Sequence, residues 1–192
     1  MPETDPGSGR PDAAECLPYY FNYIDLVPDG DVLSRLERQM VETAAYLDGF
    51  TPEQAGRREA PGEWNAVEIV GHLADTERVF GYRALNIARA HPIMWSSVEF
   101  PEYAAAAGYG ARSLGPVVAE LAAVRAAFVT FLRGLDAAAW QRRAPEGWTL
   151  RSVRAIAWCM AGHELHHLAD IRRQHPAATG AADSGQASAA RR

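Results

Sequence analysis

The chain has 192 residues, 48% hydrophobic and 22% charged, which suits one compact domain with a substantial apolar core. Its formal charge of −5 sets 24 acidic against 19 basic residues, every basic one an arginine. That excludes Schiff-base and other lysine chemistry and argues against a nucleic-acid or membrane surface, because the arginines are scattered and form no basic stripe. Cys16 and Cys159 allow at most one disulfide and point to a reducing cytoplasm. The opening Met1-Pro2-Glu3-Thr4-Asp5 lacks the basic and apolar regions of a secretory leader, and no apolar run nears the ~20 residues of a membrane span.

In chain order, residues 1–17 are rich in Pro, Gly and charge without an apolar period, and are expected to form a disordered tail, as are 176–192. Residues 18–175 are the expected folded domain, with a helical apolar period almost throughout. The first helix is expected from Asp31 to Asp48, with Val32, Leu36, Met40, Ala44 and Leu47 on one face and a stop at Gly49. The second runs from the N-cap Asn65 to Ala90, stopped by Pro92. The third runs from Ser113 to Gly134, with Pro116 in its first turn, and the fourth from Thr149 as N-cap to His175, ended by Pro176. Four such amphipathic helices predict an all-α four-helix bundle.

Two corners are alike. Gly49-Phe50-Thr51-Pro52 leads to Ala60-Pro61-Gly62-Glu63-Trp64, and Gly134-Leu135-Asp136 leads to Ala144-Pro145-Glu146-Gly147-Trp148. Each reads as a short helical turn, a bend, and a tryptophan at a helix start. The link from His91 to Arg112 is longer than the usual helix connection of ~2–8 residues and permits a crossover between helices two and three.

Three of the six histidines fall in His163-Glu164-Leu165-His166-His167. His163 and His167, four apart, share one helix face, and that face is the apolar stripe of Val153, Ile156, Met160 and Ile171. In the second helix Ile69, His72, Thr76, Phe80, Arg83 and Ile87 step in the same way, which puts His72 on the inward stripe. One inward histidine is usually a satisfied core residue. Three on facing stripes point to a shared divalent ion, since buried imidazoles without partners cost ~1–3 kcal/mol each. A shared ion requires helices two and four to be antiparallel. With their starts level, His72 and His163 would be offset by about six residues, ~9 Å. If hairpins join helix one to two and three to four, helices two and three then run parallel, in a down-up-up-down bundle.

The same string matches the H-E-x-x-H of zincin proteases, but no Glu follows Glu164 and the position six after His167 is Arg173. The third ligand therefore comes from upstream, at His72. Glu164 is the candidate catalytic base, its competing reading a solvent-facing or bundle-flank carboxylate. Zn²⁺ is the first expectation for three histidines, with Ni²⁺, Fe²⁺ and Mn²⁺ compatible. Asp75, one turn on from His72, is a candidate acceptor for a ligand's ring N–H or a partner of Arg78 or Arg83. His166 is an alternative ligand to His167, Cys159 a small core residue with a fourth-ligand or redox role as the alternative, Arg83 a candidate anchor for an anionic substrate, and His91 and His175 are expected at the surface.

The stretch Pro61-Gly62-Glu63-Trp64, then Glu68-Ile69-Val70-Gly71-His72-Leu73-Ala74-Asp75-Thr76-Glu77-Arg78-Val79-Phe80-Gly81-Tyr82-Arg83, and later Ala161-Gly162-His163-Glu164-Leu165-His166-His167, resembles the DinB-like superfamily of metal-binding four-helix bundles. Tyr23-Ile24-Asp25-Leu26-Val27-Pro28 fits it as well, and the likeness spans roughly residues 19–175. The resemblance implies a bundle with a crossed, parallel middle pair, ligands at His72, His163 and His167, and a homodimer. The superfamily includes thiol-dependent S-transferases, an isomerase that uses low-molecular-weight thiols, proteins described as metal-dependent hydrolases, and others known only as induced by stress or DNA damage. The region of Trp95, Ser96, Ser97 and Phe100 departs from the acidic segment of the family. The expectation is a metal-dependent enzyme, S-transferase or hydrolase, acting on a small molecule with a low-molecular-weight thiol as possible co-substrate. The alternative is a non-catalytic stress- or damage-induced protein with a structural metal.

Overall fold

The computed structural model describes residues 8–91 and 100–176; the expected tail at 1–7, most of that at 176–192, and Trp95, Ser96 and Ser97 lie outside them. Among the described residues eight α-helices follow one another: α1 (Phe21–Ile24), α2 (Val32–Asp48), α3 (Pro52–Gly56), α4 (Ala66–Ala88), α5 (Phe100–Ala107), α6 (Leu114–Arg133), α7 (Ala137–Gln141) and α8 (Val153–Gln174). The four long ones, α2, α4, α6 and α8, are the predicted all-α bundle, and no strand occurs among the described residues.

Local chemistry sets their ends. The Asp31 carboxylate accepts from the N–H groups of Leu33 and Ser34 at the start of α2, and Asn65 and Glu68 close a reciprocal capping box on α4. α4 ends at Ala88, and beyond it Ala90 takes a left-handed φ of 54°, so the helix stops before Pro92 is reached. The cap of α8 is Ser152, whose Oγ accepts from Ala155 N at 3.0 Å. Thr149, the predicted cap, instead accepts from the Tyr20 hydroxyl at 3.1 Å, and Leu150 and Ser152 form bridges with Cys16 and Arg143. Extended backbone at these residues delays the helix to Val153. The two similar corners contain α3 and α7, each with a capped start at Thr51 or Asp136. Each turns on a glycine of positive φ, Gly62 at 88° and Gly147 at 94°.

α2 packs chiefly against α6 and α8, and α4 against the same two. Helices joined by a short corner therefore face each other across the bundle instead of lying side by side as hairpins. Gln39 and Thr43 of α2 reach Ala161 and Glu164 of α8 in the same order, so these two run the same way. Gln174 at the end of α8 reaches Trp64 at the start of α4 while His72 meets His163, so that pair is antiparallel. Tyr109, ahead of α6, lies on Gly71, and Phe128 lies beside Gly81, so α4 and α6 run together. The link between them carries α5 and a 3₁₀ turn at Tyr109–Ala111.

Residues 8–17 are not a tail. The Trp158 indole donates to Ser8 O at 2.9 Å, the Arg10 guanidinium lies over the Trp158 ring, and Arg10 also donates to Ile24 O and Val27 O. Glu15 is fully buried, accepting from Ser152 and Arg154. The segment carries little apolar surface, and buried polar partners fix it. His175 is likewise buried, against Phe50, where the surface was expected. Among the described residues α6 is long and apolar enough to cross a membrane by length and composition, yet it is a bundle helix that buries an arginine among its neighbours.

Candidate metal centre

His72 sits in the second turn of α4, and His163 and His167 lie one turn apart on α8; all three face the α4/α8 seam. Each of the first two follows a glycine that lets a neighbour close in. A Cβ on Gly71 would stand 2.3 Å from the Tyr109 ring, and one on Gly162 would stand 2.0 Å from the Tyr23 carbonyl oxygen. Tyr23 in turn sets its ring edge-on to His163 and His166, at 5.3 Å from each. The Trp64 ring lies 4.7 Å from that of His72 and 6.4 Å from that of His167.

The three imidazoles point their Nε2 atoms at one place. His163 Nε2 is 3.2 Å from His72 Nε2 and 3.1 Å from His167 Nε2. For metal–nitrogen bonds of ~2.0–2.1 Å these spacings correspond to an angle of about 100° at a common ion, close to tetrahedral. Burial pushes His72 down to about 3, His167 down to about 4 and His163 well below its ordinary value, with neighbouring imidazoles adding to the effect. All three are therefore neutral at pH 7, the form that ligates. Each neutral ring carries one N–H. His72 Nδ1 faces Thr76 Oγ1 at 3.4 Å, and His167 Nδ1 faces Asp170 Oδ2 at 3.3 Å. With protons on those Nδ1 atoms, two bare lone pairs face His163 Nε2, whose single proton serves only one of them. A cation resolves this crowding, so the donor set fits a divalent metal.

The predicted trio is thus brought together. A cleft of about 290 Å³ opens beside it, lined by Trp64, Ile69, His167, Asp170, Arg173 and Gln174 among others. Other predicted residues lie elsewhere. Glu164 is fully buried and not solvent-facing: Oε1 accepts from Thr43 at 2.5 Å and Oε2 from Arg125 at 2.8 Å, so both oxygens have structural partners. Asp75 pairs with Arg78. Arg83 is half-buried over the Phe80 ring. His166 is half-exposed, its Nε2 3.8 Å from Asp170, where with His167 it forms a second, looser group of possible ligands. Cys159 is a buried core thiol, as is Cys16, and both are free.

Sequence reasoning passed over Arg125, Glu77 and Asp170. Arg125 shares the spacing of buried Val117, Leu121, Phe128 and Leu132, and Asp170 lies one turn beyond His167; in both cases helical spacing alone carried the signal. No curated protein and no solved structure matches the chain. The family model described as the DinB superfamily matches residues 35–171, a span that includes all three clustered histidines, and the chain belongs to that superfamily.

Proposed function

We propose that this protein is a metal-dependent enzyme acting on a small molecule, either joining a low-molecular-weight thiol to an electrophile or hydrolysing an ester or amide. The convergence of three neutral Nε2 atoms beside an open cleft carries the reading: three protein donors leave a coordination position free, as in catalytic zinc sites. A divalent ion, Zn²⁺ first by donor type with Ni²⁺, Fe²⁺ and Mn²⁺ compatible, supplies a Lewis acid that makes a thiol or water a better nucleophile at neutral pH. His72, His163 and His167 hold it, Trp64 and Ile69 give the cleft an apolar wall, and Asp170 and Arg173 give it a polar edge. Glu164 serves this reading as part of the Arg125 cluster that fixes α8, not as a base. The setting we take is a cytoplasmic homodimer that binds neither nucleic acid nor membrane, supported by two unpaired thiols, the charge of −5 and the family resemblance.

Elemental analysis of protein purified without chelator is expected to find one divalent ion per chain, lost in His72→Ala and His163→Ala; unchanged content in those variants overturns the site. The loaded protein is then screened with glutathione, mycothiol or bacillithiol against a chromogenic electrophile, and with ester substrates. Turnover that vanishes in His163→Ala supports the enzyme. The second reading is an ion that only ties α4 to α8, and stability that depends on metal, with no turnover in any screen, would establish it. Against it stands the Arg125 cluster, which already joins those two helices.

A further inference from the structure

We propose that Asp170 is the positioning residue of the metal centre: anchored by Arg173, its carboxylate holds the proton of His167 on Nδ1 and so turns the Nε2 lone pair to the ion. The inference rests on the metal reading above. Asp170 lies one turn beyond His167 on α8, with Oδ2 3.3 Å from His167 Nδ1. That ring nitrogen is shut off from solvent, and among the described residues no group stands in full hydrogen-bonding geometry to it, so the carboxylate is the acceptor toward which its proton is drawn. The other carboxylate oxygen, Oδ1, accepts from Arg173 Nη1 at 2.9 Å, and Arg173 Nε donates to Glu59 Oε2 at 3.1 Å. A chain of alternating charge thus runs from the loop after α3 through Arg173 and Asp170 to the metal ligand.

The consequence is chemical. A neutral imidazole has one proton for two nitrogens, and the partner of one nitrogen decides what the other can do. With the proton drawn to Asp170, His167 Nε2 is a bare donor where His163 Nε2 lies 3.1 Å away. If the proton moved to Nε2, an N–H would point into the ligand cluster. A carboxylate behind a ligating histidine also makes the ring a stronger base toward the metal. Asp75, which the sequence offered for such a role, is engaged by Arg78. His166 shares Asp170 only at 3.8 Å and from an exposed position.

Long-range ¹H–¹⁵N NMR of metal-free protein tests the tautomer directly. The Nδ1–H form is expected for His167 in the wild type, and a shift toward Nε2–H in Asp170→Ala; the same tautomer in both overturns the proposal whether or not metal binds. Zn²⁺ affinity by chelator competition is expected to fall roughly 10- to 100-fold in Asp170→Ala at one ion per chain. Asp170→Asn, which keeps an acceptor oxygen, is expected to recover part of that loss, and the visible band of Co²⁺-loaded protein to shift in Asp170→Ala. Affinity within about twofold of wild type overturns the positioning role. Two ions in the wild type falling to one in Asp170→Ala would make Asp170 a ligand of a second ion and overturn it as well. A wild type that binds no ion removes the metal reading itself, a failure distinct from all of these.

Discussion

Arg125 carries a full charge to the centre of four helices. Its guanidinium donates to both oxygens of Glu77 on α4, at 2.6 and 2.8 Å, to Glu164 on α8 and to the Leu36 carbonyl of α2. Thr43 completes the shell of Glu164. Burial pushes Glu77 upward while Arg125 opposes it, and the two carboxylates hold Arg125 above its ordinary value. Removing one member of a buried pair leaves the other uncompensated, at a cost of about 3–5 kcal/mol. Glu164→Gln is therefore expected to lower stability by several kcal/mol in denaturant unfolding while metal content stays at the wild-type value. Loss of the ion with stability preserved would return Glu164 to the metal site. Adjacency in sequence misled here. Glu164 follows His163 directly, but helical geometry turns consecutive residues by ~100°, so ligand and neighbour serve different clusters.

Among elements, α8 does the most, supplying two ligands, the buried Glu164 and the surface on which the N-terminal segment lies. Its start is held by Ser152, whose Oγ caps Ala155 N and donates to Glu15 Oε2 at 2.6 Å. Ser152→Ala is expected to cost about 1–2 kcal/mol, whereas Thr149→Ala, at an exposed hydroxyl, should stay within about 0.5 kcal/mol; thermal melts of the two variants check this. Equal effects would make Thr149 the true cap. The four long helices were legible because their apolar stripes run for several turns, and the histidine trio because it interrupts two of those stripes. The N-terminal segment was not, since Ser8, Arg10 and Glu15 are held by polar partners distant in sequence and no periodicity announces such contacts. His175 was misplaced for a similar reason: Pro176 marks a helix end but says nothing of the Phe50 ring that covers the histidine.

At the scale of the molecule the metal centre couples folding to pH. The buried imidazoles keep folded-state values below the unfolded ~6.5, so between those values the unfolded chain binds more protons than the folded one. Stability of metal-free protein is therefore present at neutral pH and falls as pH drops below about 6.5. Melting temperature measured with chelator from pH 7.5 to 5 is expected to decline over the lower part of that range, and less steeply in His72→Ala. A flat profile would show that the imidazoles are already protonated or exposed.

The placement of helices joined by a short corner on opposite sides of the bundle has one more consequence. The half containing α2 and α4 buries its faces chiefly against the half containing α6 and α8, and the reverse holds, so the two halves interlock instead of stacking. Neither owns a closed interior, and His72 is separated from its two partner ligands by the same division. Cut in the crossover and expressed apart, each half should remain unfolded alone; mixed, they should reassemble, with the metal site forming only in the reunited pair.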